Sequence, residues 1–113
     1  MMNKYSAKPI VIDGIRFASR GEGRRYVELR TLLRAGIIKD LELQPTFLLA
    51  CGDTPIKYEN GRQAKYVADF RYTDIERGVV VEDFKGRDTL TSKLKRAIVK
   101  AQYGVTVEIV KGR

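Results

Sequence analysis

The sequence predicts a single α/β domain in the order helix, three strands, helix, strand, with a short hairpin in front. Three observations predict it. Two segments, residues 19–36 and 88–104, carry apolar residues at helical spacing between recognisable caps. Segments 41–51, 65–72 and 78–84 lie between them and are rich in the apolar and aromatic residues of strands, and 105–110 repeats that pattern at the end. The chain of 113 residues is long enough for one modest core and short for two.

Residues 1–8 are polar and are expected to be mobile. In "PIVIDGIRFAS", Asp13-Gly14 supplies the positive φ of a tight hairpin turn between apolar flanks. "SRGE", Ser19 to Glu22, has the S-x-x-E spacing of a capping box. The helix behind it runs to about Ala35, with Tyr26, Leu29, Leu32 and Leu33 on one stripe, and Gly36-Ile37 form its left-handed end. "LELQPTFLLAC" reads as a strand with Leu41, Leu43, Phe47 and Leu49 on one face and an edge or bulge at Pro45. Asn60-Gly61 mark a loop or hairpin tip. "KYVADFRY" and "GVVVEDF" are strands joined by "TDIER". The second helix starts at Asp88 or Thr89, ends at Gly104, and is expected to bury Leu90, Leu94, Ala97, Ile98 and Ala101.

Composition excludes much chemistry. The absence of histidine removes His-dependent serine and cysteine hydrolases, His-ligated zinc and imidazole general bases. Hydrolysis by this chain must rest on carboxylates, lysines and a hard divalent cation. One cysteine, Cys51, leaves no internal disulfide and suits a reducing compartment. No apolar run approaches a membrane span, and the N-terminus lacks the apolar core of a secretory signal. The net charge of +8 is concentrated at the end, where residues 85–113 hold eight basic residues against two acidic ones. Such a bias favours a polyanionic partner, nucleic acid before an anionic membrane.

The strand "VVVEDFKG" places charges where a core strand should still be packed. Alternation puts Asp83 and Lys85 on one face, Glu82 and Phe84 on the other. On the neighbouring strand Val67, Asp69 and Arg71 share a face, opposite Tyr66, Ala68 and Phe70. A hairpin closed symmetrically on its turn sets Asp69 opposite Asp83 and Val67 opposite Lys85. Two opposed carboxylates weaken a sheet, a cost that makes sense if a cation sits between them. An exposed D-x-K pair at a strand end is far commoner, but here an aspartate faces it from a strand of core residues. Glu22 has a complete structural role in the capping box, yet it also ends the stripe facing the sheet, so capping and a site role are compatible.

Glu22 at a helix start, Asp69 on the second strand and Asp83-x-Lys85 on the third resemble the core of the PD-(D/E)XK nucleases. More narrowly, "DGIRFASRGE", "LRAGIIKDLELQPTF", "YVADFRY" and "VVEDFKG…T" resemble a family of short phage-encoded proteins. Those were long filed as a domain of unknown function and are regarded as PD-(D/E)XK nucleases of the junction-resolving kind. The resemblance covers about residues 10 to 110. It implies an αβββαβ core with a mixed sheet flanked by helices. It further implies that Asp69, Asp83 and the backbone carbonyl of Phe84 ligate Mg²⁺, with Mn²⁺ able to substitute. Lys85 would position the attacking water, and Glu22 would bind metal or water from the helix. Ala68 stands where the superfamily has proline, and the third-strand acid is Asp rather than Glu. Glu82 resembles the family's paired acids, although alternation turns it away from the site, and Gln44 also matches a family pattern.

On the second helix Lys93, Arg96 and Lys100 share a face suited to DNA phosphates, and Lys95 lies on another flank nearer Lys85. The resulting expectation is a Mg²⁺-dependent endodeoxyribonuclease, one domain over residues 1–113, that resolves four-way junctions or other branched DNA. It would act as a homodimer in the cytoplasm of a phage's bacterial host, away from membranes. A nicking, flap or recombination nuclease of the same fold, or a non-catalytic DNA-binding module, is the alternative.

Overall fold

The hairpin predicted at Asp13-Gly14 forms, with both residues at positive φ (53° and 75°). A computed structural model describes residues 8–111, so the expected mobility of residues 1–8 falls, apart from Lys8, outside the described residues. Strands β1 (Ile10–Ile12) and β2 (Ile15–Phe17) pair antiparallel and lead into α1 (Arg20–Arg34). Ser19 caps α1 by accepting the Glu22 amide at 3.2 Å. The helix ends as predicted: Gly36, at φ 76°, donates to the Leu33 carbonyl and Ile37 to that of Leu32, the paired bonds of a left-handed terminus. Asp13 ties the hairpin to this helix, accepting from the Tyr26 hydroxyl at 2.9 Å and from Arg30 at 2.7 Å.

Next come β3 (Ile38–Leu43), the short strands β4 (Thr46–Leu48), β5 (Ala50–Cys51), β6 (Thr54–Pro55) and β7 (Lys65–Val67), then β8 (Phe70–Asp74) and β9 (Gly78–Lys85). The chain closes with α2 (Leu90–Tyr103) and β10 (Val107–Lys111). The main sheet is mixed, in the order β10-β9-β8-β3, with β10 parallel to β9 and the other neighbours antiparallel. Val80 and Val81 are adjacent on β9 and therefore point to opposite faces, each into its own core. Val80 joins Phe17, Tyr26, Leu29, Ile38, Phe70 and Tyr72 under α1 and the hairpin. Val81 joins Phe47, Leu49, Tyr66, Val99 and Val107 under α2 and the β4–β7 pair. Among the described residues no helix is long and apolar enough to cross a membrane.

Two expected strands prove to be broken, and broken together. Segment 41–51 leaves the main sheet at Gln44, which takes φ 52°, and at the buried Pro45. Its neighbour leaves at Ala68–Asp69, so 65–72 is two strands rather than one. The Ala68 amide donates to the Pro45 carbonyl and the Gln44 amide to the Asp69 carbonyl, holding both breaks side by side. Pro45 has no N–H for a ladder, which forces one break, and the paired chain follows. The alternation restarts beyond it. Tyr66, expected opposite to Asp69, therefore shares a core with Val81 on the side of Asp83.

The orientation of α2 also corrects the expectation. Its ends are as predicted, with Thr89 capping the Ser92 amide at 3.1 Å and Gly104 at φ 71°. Its inward stripe, however, is Ser92, Lys95, Arg96 and Val99, whereas Leu90 and Leu94 are 82% and 61% exposed. Ala97 and Ala101 are exposed and Ile98 half-buried. The polar stripe can face inward because Arg96 forms a two-pronged bond with Asp88 (2.9 and 2.6 Å), while the Lys95 ammonium sits 5.8 Å from the centre of the Tyr58 ring. On α1, Leu33 lies outside the buried stripe as well.

Candidate active site

Asp83 is a carboxylate with 3% exposure in the second half of β9. Valine-rich packing of the preceding residues holds the strand in place, and alternation then delivers Asp83 and Lys85 to one side. Lys85 Nζ lies 3.2 Å from Asp83 Oδ2, and the Tyr66 hydroxyl donates to the same oxygen. Unbroken alternation would place Tyr66 on the far face, and the break at Ala68–Asp69 brings it to Asp83 instead.

Asp69 stands one residue beyond the last ladder pair of β8 and β9, Phe70 with Glu82, where the continued register sets it opposite Asp83. Its amide donates to the Glu82 carbonyl at 3.1 Å, and its Oδ2 accepts the Phe84 amide at 2.7 Å. The side chain thus replaces a backbone acceptor where the ladder ends. Burial, then a hydrogen bond with Asp83, push the Asp69 carboxyl up to about 8, against the lowering effect of the Phe84 amide. The charges of Asp83 and Glu22 add to the rise. Glu22 is itself raised, by burial first and by Asp83 second. Its carboxylate makes no hydrogen bond among the described residues, so only half of the expected capping box forms. The half that would return to Ser19 is replaced by proximity to the aspartates.

The start of α1 is held against β9 by the absence of a side chain. A Cβ on Gly21 would lie 2.1 Å from the Phe84 ring. That contact sets Glu22 beside the strand end that carries Asp83.

Glu82 has a separate role. It is 2% exposed and points under α1, where Arg25 grips both of its oxygens at 2.8 and 2.6 Å and the Tyr72 hydroxyl donates to one of them. This is a satisfied buried ion pair, and it raises the Arg25 guanidinium further. Gln44, the other matching residue, contributes its backbone amide to Asp69 while its side chain is exposed. Among the DNA-facing candidates, Lys93 and Lys100 are exposed, and Lys100 donates to Thr106 Oγ1 at 2.6 Å. Arg96 is turned inward onto Asp88, away from the face it was expected to share with them. Lys95 lies with Lys85 along one groove.

Asp69 and Asp83 are the side chains that could hold a cation. Among the described residues no group of three or more His, Cys, Asp or Glu is close enough for a metal. A pair of crowded carboxyls nevertheless fits the habit of Mg²⁺, which takes one or two carboxylates and keeps several waters. The rise of Asp69 comes first from burial and then from Asp83 beside it, and a bound cation would offset both.

The pH dependence follows with a definite sign. Asp69 releases its proton near 3.8 when unfolded and at about 8 when folded. Between those values the native state holds the extra proton, so its stability falls as pH rises. Asp69→Asn removes this slope. In chelator, thermal melts at pH 5 and pH 8 should show the variant gaining at pH 8, by about 4 °C or more for each kcal/mol recovered. Equal melting of both proteins at pH 8 would show that the carboxyl is not strained.

Fold and site together define an α/β protein whose mixed sheet delivers one buried and one half-buried aspartate and a lysine beside a helix-borne glutamate. The chain belongs to the family described as a protein of unknown function, DUF1064, which matches residues 2–111. Searches among curated proteins and among solved structures found no match.

Proposed function

We propose that this protein is a divalent-cation-dependent endodeoxyribonuclease that cuts branched DNA, four-way junctions above all, as a homodimer in the cytoplasm of a phage's bacterial host. The observation that carries the reading is the Asp69–Asp83–Lys85 cluster. Two acids are crowded together at a cost to stability, with a lysine 3.2 Å from one of them. Purely structural acids in this same fold are satisfied, as Glu82 is by Arg25 and Tyr72. The order of helices and strands around the mixed sheet supports a PD-(D/E)XK core, and a net charge of +8 suits a polyanionic substrate.

Asp69 and Asp83, with the Phe84 carbonyl, would hold Mg²⁺ or Mn²⁺. When bound, such an ion polarises a phosphodiester and acidifies water. The chain's own residues do the rest. The Tyr66 hydroxyl and the Phe84 amide fix the two carboxylates so that neither reorganises as substrate arrives. Lys85 orients the attacking water and offsets charge gathering on the phosphate oxygens. Glu22, held with a raised affinity for protons, accepts a proton from that water more readily than an ordinary carboxylate.

Resolving a four-way junction takes two paired cuts, and the described residues of one chain carry one such cluster, so a two-fold dimer is the economical assembly. The test incubates end-labelled four-way junction, flap and linear duplex with the protein, with Mg²⁺ or with EDTA, and measures mass by sedimentation. Paired symmetric nicks in the junction, made by a dimer and only with the cation, are expected. Preference for the junction should survive a change of arm sequence, because branch shape rather than bases is read. Scattered cuts, or equal use of linear duplex, would remove the junction assignment. Binding without cleavage under every cation would leave a DNA-binding module.

A further inference from the structure

A groove of about 550 Å³ runs beside the carboxylate cluster, between the hairpin tip at residues 57–63 and α2. Tyr58, Arg62, Lys65, Tyr66, Lys85 and Lys95 give it its character, and no carboxylate is among its lining residues. Arg62 and Lys65 have no acidic partner among the described residues, so their charge is available to a ligand. The tip that carries Tyr58 is braced. Tyr58 and Arg62 are joined by a 2.9 Å backbone bond, the Gly61 amide returns to the Tyr58 carbonyl, and Asn60 Oδ1 accepts the Arg62 amide.

Tyr58 is 51% exposed although it stands in this groove, and the Lys95 ammonium lies over its ring at 5.8 Å from the centre. A partly exposed aromatic ring among cations, two of them without an acidic partner, is the composition of a platform for stacked bases along a phosphate track. Duplex DNA offers the cations its phosphates but presents no base face to a ring, since its bases are stacked inside. Tyr66 and Lys85 belong to both groove and cluster, and Lys85 is 3.2 Å from Asp83. A phosphate bound at Lys85 is therefore one side chain away from the aspartates.

We infer that this groove binds an unpaired DNA strand, with one base stacked on Tyr58 and phosphates on Arg62, Lys65 and Lys95, and leads it to the carboxylate cluster. The inference deepens the nuclease reading and rests on it for the purpose of the groove. Applied to a four-way junction, whose arms are paired, it requires that a strand open at the branch point beside the scissile phosphate.

Binding in EDTA tests the groove without any need for cleavage. Fluorescence anisotropy would compare labelled oligo-dT and a blunt duplex of equal length, with the folded state of each variant checked by circular dichroism. Tyr58→Ala should weaken oligo-dT binding about tenfold, the effect of losing one stacked base, and leave duplex binding within about twofold. Tyr58→Phe should bind like the wild type, because the ring and not the hydroxyl stacks. Arg62→Ala and Lys65→Ala should each lower the salt slope by about 0.7, one single-strand phosphate apiece. Equal losses for oligo-dT and duplex, unchanged oligo-dT binding by Tyr58→Ala, or a Tyr58→Phe variant as weak as Ala would each overturn the inference. Groove variants that behave as expected in a protein that never cleaves would remove the nuclease reading and leave the strand-binding groove standing.

Discussion

Replacement of Asp83 by Asn is expected to lower cleavage of branched DNA by at least about a hundredfold while DNA binding in EDTA stays within a few-fold. Groups that merely orient a metal ligand commonly matter by 10- to 100-fold, and Asp83 would be a ligand itself. The amide oxygen of Asn can still accept the Tyr66 hydroxyl, so the local packing keeps its hydrogen bond. Substitution also removes charge from beside Asp69, whose rise owes part to Asp83, and the melting temperature in chelator should not fall. Cleavage rates and anisotropy on one preparation provide the check. Cleavage near the wild-type rate by this variant would end the assignment of the cluster as the active site, whatever the DNA preference.

Arg25→Ala should have the largest effect on stability, about 3–5 kcal/mol. Glu82 is 2% exposed, and loss of the guanidinium leaves its carboxylate with the Tyr72 hydroxyl alone. The expected cost is the desolvation of an unpaired charge more than the worth of the pair, so changing both partners should be milder. Arg25→Met combined with Glu82→Gln should recover most of the loss, with Gln still able to bond Tyr72. Urea unfolding of the single and double variants measures both statements. A single variant within about 1 kcal/mol of wild type would show that water reaches Glu82 and that the pair does not hold the sheet to α1.

The features legible in the sequence are local. The Asp13-Gly14 turn, the Ser19 and Thr89 caps and the glycines at 36 and 104 follow from torsion angles and hydrogen bonds within a few residues, and each formed where its chemistry required. The parity of β9 belongs here too. An uninterrupted strand alternates without reference to its neighbours, so Asp83 and Lys85 part from Glu82 and Phe84 on sequence grounds alone.

Tertiary structure decided what depends on partners far along the chain. Pro45 announced an irregularity, but only pairing with the neighbouring strand carried the break to Ala68–Asp69 and turned Tyr66 toward Asp83. The partner of Glu82 lies 57 residues away on α1, and no spacing rule reaches that far. Leu90, Leu94, Ala97 and Ala101 form the more apolar stripe of α2, yet they lie on its exposed side. The stripe with Lys95 and Arg96 turned inward instead, where Asp88 pairs with Arg96 and the Lys95 ammonium lies over the Tyr58 ring. A helix's own pattern states which faces differ. The surface it meets, and the charges that surface can neutralise, decide which of them is buried.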